Sequence, residues 1–160
     1  YVYSEPGIGS TFKIFWPVID VKISSKTIKE AIDSDLQGIE TILLVEDDEE
    51  VRNFAAAALK EFGYSIYTAE NGKKAFDLIK NNNLKADLLF TDMVMPDMNG
   101  KELLEKLKEI VPDIRVLFTS GYTDNNISLK GELEKNINFL HKPYSINILG
   151  KKIREIMQKR

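Results

Sequence analysis

Cysteine is absent from the 160 residues. Its absence excludes disulfides and thiolate metal sites and fits a reducing compartment. No run approaches the length of a membrane-spanning helix, and the first residues carry no secretory-signal pattern, so no membrane contact is expected. A large excess of charge of one sign is also missing. A net charge of −3 offers no electrostatic case for nucleic acid. The basic residues Lys151, Lys152, Arg154, Lys159 and Arg160 read instead as a solvated helix face. What remains is an ordinary globular composition, 43% hydrophobic and 29% charged, at a length that suits one well-buried domain with an appendage. A cytoplasmic location is expected. The first residue is Tyr1, inside what reads as structure, so a piece of a longer chain is expected as well.

Residues 1–17 hold two β-prone runs, Tyr1-Val2-Tyr3 and Thr11 to Trp16, around Ser4-Glu5-Pro6-Gly7-Ile8-Gly9-Ser10. Pro and Gly between such runs predict a β-hairpin, which needs a surface to pack on. Residues 18–38 are polar and weakly periodic. They read as a linker with a helix-compatible stretch from Thr27 to Leu36. From residue 39 to 160 strand and helix alternate strictly. Thr41–Val45, Tyr64–Thr68, Asp87–Thr91, Ile114–Thr119 and Ile137–Leu140 read as strands. The helices are read at Val51–Phe62, Gly72–Lys80, Leu103–Ile110 and, more weakly, Asn126–Leu133, with a last one marked by Ile146, Leu149, Ile153, Ile156 and Met157. Such a series predicts an α/β fold with a doubly wound five-stranded parallel sheet, order 2-1-3-4-5, and its site beside the first strand.

In that sheet the loops after strands one, three, four and five gather at one edge, and each carries a polar residue. The first carries Glu46-Asp47-Asp48, the third Asp92, the fourth Ser120 and the fifth Lys142. Like charges about 4 Å apart repel by about 4 kcal/mol at an intermediate dielectric, so Glu46, Asp47 and Asp92 together ask for a cation or a proton. Oxygen ligands without His or Cys suit Mg²⁺. The five consecutive acids from Glu46 to Glu50 argue against a dinucleotide, which needs a glycine-rich turn there. Aspartyl phosphatases pair a strand-end Asp with a second acid two residues on, and Val94 holds that position here. Lys142 can pair with Asp92 and reach a phosphoryl oxygen on it. Ser120 can hydrogen-bond the same group, with Thr119 as the competing choice; strand parity favours Ser120, expected just past the strand end.

Two stretches resemble known families. Ser-Glu-Pro-Gly-Ile-Gly-Ser-Thr-Phe-Lys-Ile-Phe-Trp-Pro is similar to the closing hairpin of the ATP-binding domain of sensor histidine kinases, although ATP binding by these residues alone is not expected. Leu-Val-Glu-Asp-Asp, Thr-Asp-Met-Val-Met-Pro-Asp-Met-Asn-Gly, Leu-Phe-Thr-Ser-Gly-Tyr and Phe-Leu-His-Lys-Pro-Tyr occur in order between about Thr41 and Gln158. They resemble the four motif blocks of the response-regulator receiver domain.

That resemblance implies that Asp92 is a phosphoacceptor and that Glu46 and Asp47 are Mg²⁺-binding acids. Val94 lends its backbone carbonyl to the metal, Ser120 is the switch hydroxyl, Phe139 the switch aromatic and Lys142 the lysine of the family. Phe139 lacks a hydroxyl, so its switching would work through packing. The implied donor is a phosphohistidine of a histidine kinase or phosphotransfer protein, since His141 reads as a packing or surface residue. The implied chemistry is self-phosphorylation on Asp92 from that donor, with autodephosphorylation. The implied output is a protein partner at the face of the fourth helix, fifth strand and fifth helix. With the kinase-like hairpin in front, the whole is expected to be the tail of a hybrid sensor kinase, whether or not its parent is membrane-anchored. Homodimerisation through the hairpin stays open. The rival readings are a receiver-shaped interaction module that never turns over phosphate, and a phosphate sink. Asp97, past Pro96, reads as loop and helix-start chemistry rather than a second acid.

Overall fold

Apolar runs without polar alternation are stable as strands only when both faces are covered, and the computed structural model of the chain covers them so. It describes residues 1–15, 34–82, 84–121 and 138–158. The chain divides into two units, Tyr1–Ala31 and Ile32–Arg160.

In the first unit β1 (Val2–Glu5) pairs antiparallel with β2 (Gly9–Phe12), from Val2 opposite Phe12 to Glu5 opposite Gly9. The second strand begins earlier than the aromatic run suggested. The turn is short, with Gly7 at φ 80°, so Gly9 already lies opposite Glu5 and the ladder is complete by Phe12. The Tyr1 ammonium donates to the Lys13 carbonyl at 2.9 Å, and the Ser4 and Ser10 hydroxyls meet at 2.8 Å. Trp16 and Pro17, the end of the expected hairpin, lie outside the described residues, as does most of the expected linker.

In the second unit the sheet contains β3 (Thr41–Val45), β4 (Ser65–Ala69), β5 (Leu88–Asp92), β6 (Arg115–Ser120) and β7 (Asn138–His141). All pairs are parallel and the order is β4-β3-β5-β6-β7, which is 2-1-3-4-5 counted from β3. Helices α1 (Glu49–Glu61), α2 (Gly72–Asn82), α3 (Gly100–Lys108) and α4 (Ile146–Gln158) cover it. One face packs Ala55, Leu59 and Phe62 of the α1 region with Leu149, Ile153 and Ile156 of α4 onto Ile42, Leu44, Leu88, Phe90 and Leu117. The other packs Ala75 and Ile79 of α2 with Leu103 and Leu107 of α3 onto Leu43, Val45, Leu89 and Phe118. Each fully buried Leu, Ile or Phe contributes about 1.5–3 kcal/mol by leaving water. The expected helix 126–133 lies outside the described residues.

Leu36, read from the sequence as linker, sits in a 3₁₀ turn (Ser34–Leu36) and is 3% exposed within the first of these cores. Gly38 N–H donates to the Phe62 carbonyl at 3.0 Å, and Glu40 pairs with Arg154 of α4 at 2.8 Å. The chain leading into β3 is thus part of the folded unit.

Candidate functional site

Parallel register brings the strand ends together. Val45 lies opposite Thr91, Asp92 opposite Thr119, and Ser120 opposite His141. Glu46 and Asp92 therefore emerge on either side of the β3–β5 switch point, and Lys142 follows β7, two strands beyond β5, at the same end of the sheet.

Helix starts fix the loops between them. Asp48 caps α1, its carboxylate accepting from Glu50 N–H at 2.9 Å and Val51 N–H at 3.0 Å, so this acid is spent on the helix. Asn99 caps α3 in a capping box with Glu102. Asp97 takes a left-handed backbone at φ 66°, which Asp tolerates, and the helix-start work falls to Asn99 instead. Gly100 is needed where α3 meets the strand end: a Cβ there would lie 2.5 Å from the Asp92 carbonyl oxygen.

At the centre the Lys142 ammonium bridges two acids, with Nζ 2.6 Å from Glu46 Oε2 and 2.6 Å from Asp92 Oδ2. Its own N–H donates to the Ser120 carbonyl at 2.9 Å, which pins the lysine's backbone to β6. Glu46 is 4% exposed, and burial pushes its carboxyl above the ordinary range. The lysine opposes that rise, while the charges of Asp92 and Asp47 reinforce it. Burial alone would lower Lys142, but its hydrogen bonds and charge contacts with Asp92 and Glu46 outweigh it and hold the ammonium above its ordinary value. Tyr144, beside the same charges, is pushed up to about 12, chiefly by burial.

One carboxylate oxygen each from Glu46, Asp47 and Asp92 lie within 4.8 Å of one another. Hard oxygen donors at this spacing fit a small divalent cation. Val94 is in the loop beyond Asp92 and donates its N–H to Asp92 Oδ1 at 3.1 Å. The second oxygen of Asp92 is thereby oriented as well.

Ser120 is the last residue of β6 rather than a loop residue, because β7 runs on to His141 and supplies a ladder partner. Its hydroxyl lies 3.4 Å from His141 Nδ1. Thr119 is fully buried and donates to the Thr91 carbonyl at 3.4 Å, on the other side of the strand from Ser120. Phe139, half-buried, lies against Phe118 with ring centroids 5.5 Å apart, one pleat before the Ser120–His141 pair.

Sequence reasoning missed Arg52. Its guanidinium donates to the carbonyls of Glu46 at 2.6 Å and Asp47 at 3.3 Å. A search for donors to carbonyls past the end of β3 would have pointed to this first-turn arginine. A groove of about 570 Å³ also opens beside the acids, lined by Val51, Phe54, Lys142, Pro143 and Tyr144. Phe54 is 50% exposed there.

Among the described residues no helix is long and apolar enough to cross a membrane. Residues 42–154 match the family described as the response regulator receiver domain. The chain is 34% identical to the sensor kinase CckA of Brucella abortus over 99% of its own length and 18% of that protein's, so it spans under a fifth of that relative. It is 32% identical to the response regulator receiver protein CpdR of the same organism, over 72% of this chain and 95% of that one. Among solved structures, the receiver domain from the hybrid histidine kinase CckA superposes with a TM-score of 0.62 at 30% identity, covering 74% of this chain and 99% of that one. A strand order of 2-1-3-4-5, an acidic cluster at the strand ends and a lysine bridging it agree with that match, and the chain belongs to the response regulator receiver domain family of two-component signal transduction.

Proposed function

We propose that this receiver accepts a phosphoryl group on Asp92 from a phosphohistidine, in a Mg²⁺-dependent reaction, and signals by altering a protein-binding face. The observation that carries the reading is the Lys142 ammonium at 2.6 Å from both Asp92 and Glu46, with the Asp47 carboxylate in the same cluster. A carboxylate oxygen of Asp92 attacks phosphorus in line. The new P–O bond forms as the P–N bond to the donor imidazole breaks, and the electron pair leaves with the imidazole nitrogen. The Glu46, Asp47 and Asp92 carboxylates and the Val94 carbonyl would hold Mg²⁺, which supplies charge neutralisation for the phosphoryl oxygens.

Lys142 keeps its ammonium through neutral pH and transfers one of its contacts to a phosphoryl oxygen. Ser120 leaves His141 and hydrogen-bonds another. Phe139 then turns into the space beside β6, and the face formed by the helix read at 126–133, β7 and α4 changes for its partner. Hydrolysis of the aspartyl phosphate resets the site.

The donor histidine belongs to another part of a longer chain or to a separate phosphotransfer protein. His141, whose Nδ1 lies 3.4 Å from the Ser120 hydroxyl, is read as a packing or surface residue rather than the donor. Similarity to a sensor kinase over 99% of the chain supports a hybrid kinase tail in the cytoplasm: the closing hairpin of an ATP-binding domain at 1–17, then a linker that ends before the turn Ser34–Leu36, then a receiver that starts with that turn rather than at residue 39. The apolar groove of Val51, Phe54, Pro143 and Tyr144 borders Lys142, and the donor protein approaches Asp92 across it. Incubation with Mg²⁺ and a small acyl phosphate should add one phosphoryl group to the intact mass, and Asp92→Asn should remove that addition. An unmutated chain that stays unlabelled contradicts the reading.

A further inference from the structure

The carboxylates of Glu46 and Asp47 converge with Asp92 only if the backbone that carries them is held still. The ladder of β3 ends with Val45 opposite Ala69, and the Glu46 N–H still donates to the Ala69 carbonyl at 3.2 Å. Beyond that point the chain turns toward α1, and three successive carbonyls are engaged by one residue. Arg52 Nη1 is 2.6 Å from Glu46 O and 3.3 Å from Asp47 O, and the Arg52 backbone N–H donates to Asp48 O at 2.9 Å. Arg52 itself is half-buried and rooted in the first turns of a capped helix, so its anchor is rigid.

We infer that Arg52 is a positioning residue for the cation site, fixing the backbone of Glu46 and Asp47 so that their carboxylates meet Asp92. The inference rests on the cation-binding reading above and adds to it a residue that touches neither cation nor phosphoryl group. Two consequences of the guanidinium oppose each other. Its positive charge close to the acids disfavours a bound cation, whereas its hydrogen bonds hold the acids in the geometry a small cation demands. Removal of hydrogen-bonding partners behind metal ligands typically weakens affinity about 10–100-fold, which is larger than the effect of one solvent-screened charge. Position should therefore win. Lysine keeps the charge, but both carbonyls are met by the one nitrogen Nη1, and an ammonium one bond nearer the backbone on a more flexible stem does not hold that position.

The test titrates Mg²⁺ alone into the full chain by calorimetry, for the unmutated protein, Arg52→Lys and Arg52→Gln. Both substitutions should raise the dissociation constant about 10-fold, with Gln no tighter than Lys. Arg52→Lys, the milder change, carries the test if Arg52→Gln does not fold. Tighter binding by Arg52→Gln would show that charge outweighs position and overturn the inference. Unchanged affinity in a folded variant, even with a lowered unfolding midpoint, would reduce Arg52 to a structural role and overturn it too. An unmutated chain that binds no Mg²⁺ would instead sink the cation reading on which the inference rests.

Discussion

Lys142 balances two acids that would otherwise repel. Its side chain is 23% exposed and that of Glu46 5% exposed, so the pair is shielded but not dry. Because the lysine's folded pKa is raised above 10.5, its contribution is full below that pH and is lost as pH rises through the folded value. Glu46 is also raised, above 4.5, so the fold favours its protonated form and stability falls as pH climbs from 4.5 through the shifted value. In Lys142→Met the carboxylates lose their cation. The substitution is expected to cost about 2 kcal/mol at pH 7, below the range for fully buried pairs because the lysine is partly solvated. The loss should shrink at pH 5, where Glu46 can take up a proton. Urea unfolding at the two pH values measures it, and a loss independent of pH would contradict this account. Asp92, Glu46 and Lys142 were legible in the sequence because a charged side chain after an apolar strand announces itself. Arg52 was not, since it acts through backbone carbonyls six and five residues away. Nor was the contact of His141 with Ser120, which depends on how far β7 extends.

Helices α1 and α3 start earlier than their apolar stripes suggested. The reason is in the caps: Asp48 and Asn99 start each helix several residues before its first buried apolar side chain in the core, Ala55 and Leu103. The strands shifted by only about a residue at their ends. Leu36 was misread because a 3₁₀ turn has no period long enough to show an apolar face. The junction of α3 with β5 gives a sharp prediction. In Gly100→Ala the new methyl meets the Asp92 carbonyl oxygen at 2.5 Å and Thr91 Cγ2 at 3.0 Å, so the strand end must move. We expect a stability loss of about 1–3 kcal/mol together with slower labelling of Asp92, read by thermal unfolding and by mass spectrometry. A loss of stability without any change in labelling would separate α3 from the site. The α1 side gives another. Phe54→Ala removes an exposed apolar side chain from the groove beside Lys142 without touching the acids. Transfer from a phosphohistidine protein should slow about 10-fold, while labelling by a small acyl phosphate stays unchanged. Equal slowing of both would place Phe54 in the chemistry rather than in docking.

For the whole molecule, the sheet order followed from alternation and handedness, which leave few allowed windings, together with the winding usual for a compact five-stranded sheet. That order set four strand ends at one edge, and from it came the grouping of Glu46, Asp92, Ser120 and Lys142. What the alternation could not supply was the boundary of the folded unit, which reaches back to Leu36 through side-chain packing and through the Glu40–Arg154 pair. The central claim is that this architecture makes Asp92, among many acids, the one that takes a phosphoryl group. Peptide mapping after Mg²⁺-dependent labelling tests it most directly, since tryptic cleavage after Lys85 and Lys101 isolates Asp87, Asp92 and Asp97 on one peptide. Fragmentation of that peptide should place the phosphoryl group on Asp92. A label on Asp87 or Asp97, or on any other peptide of the chain, would contradict the account.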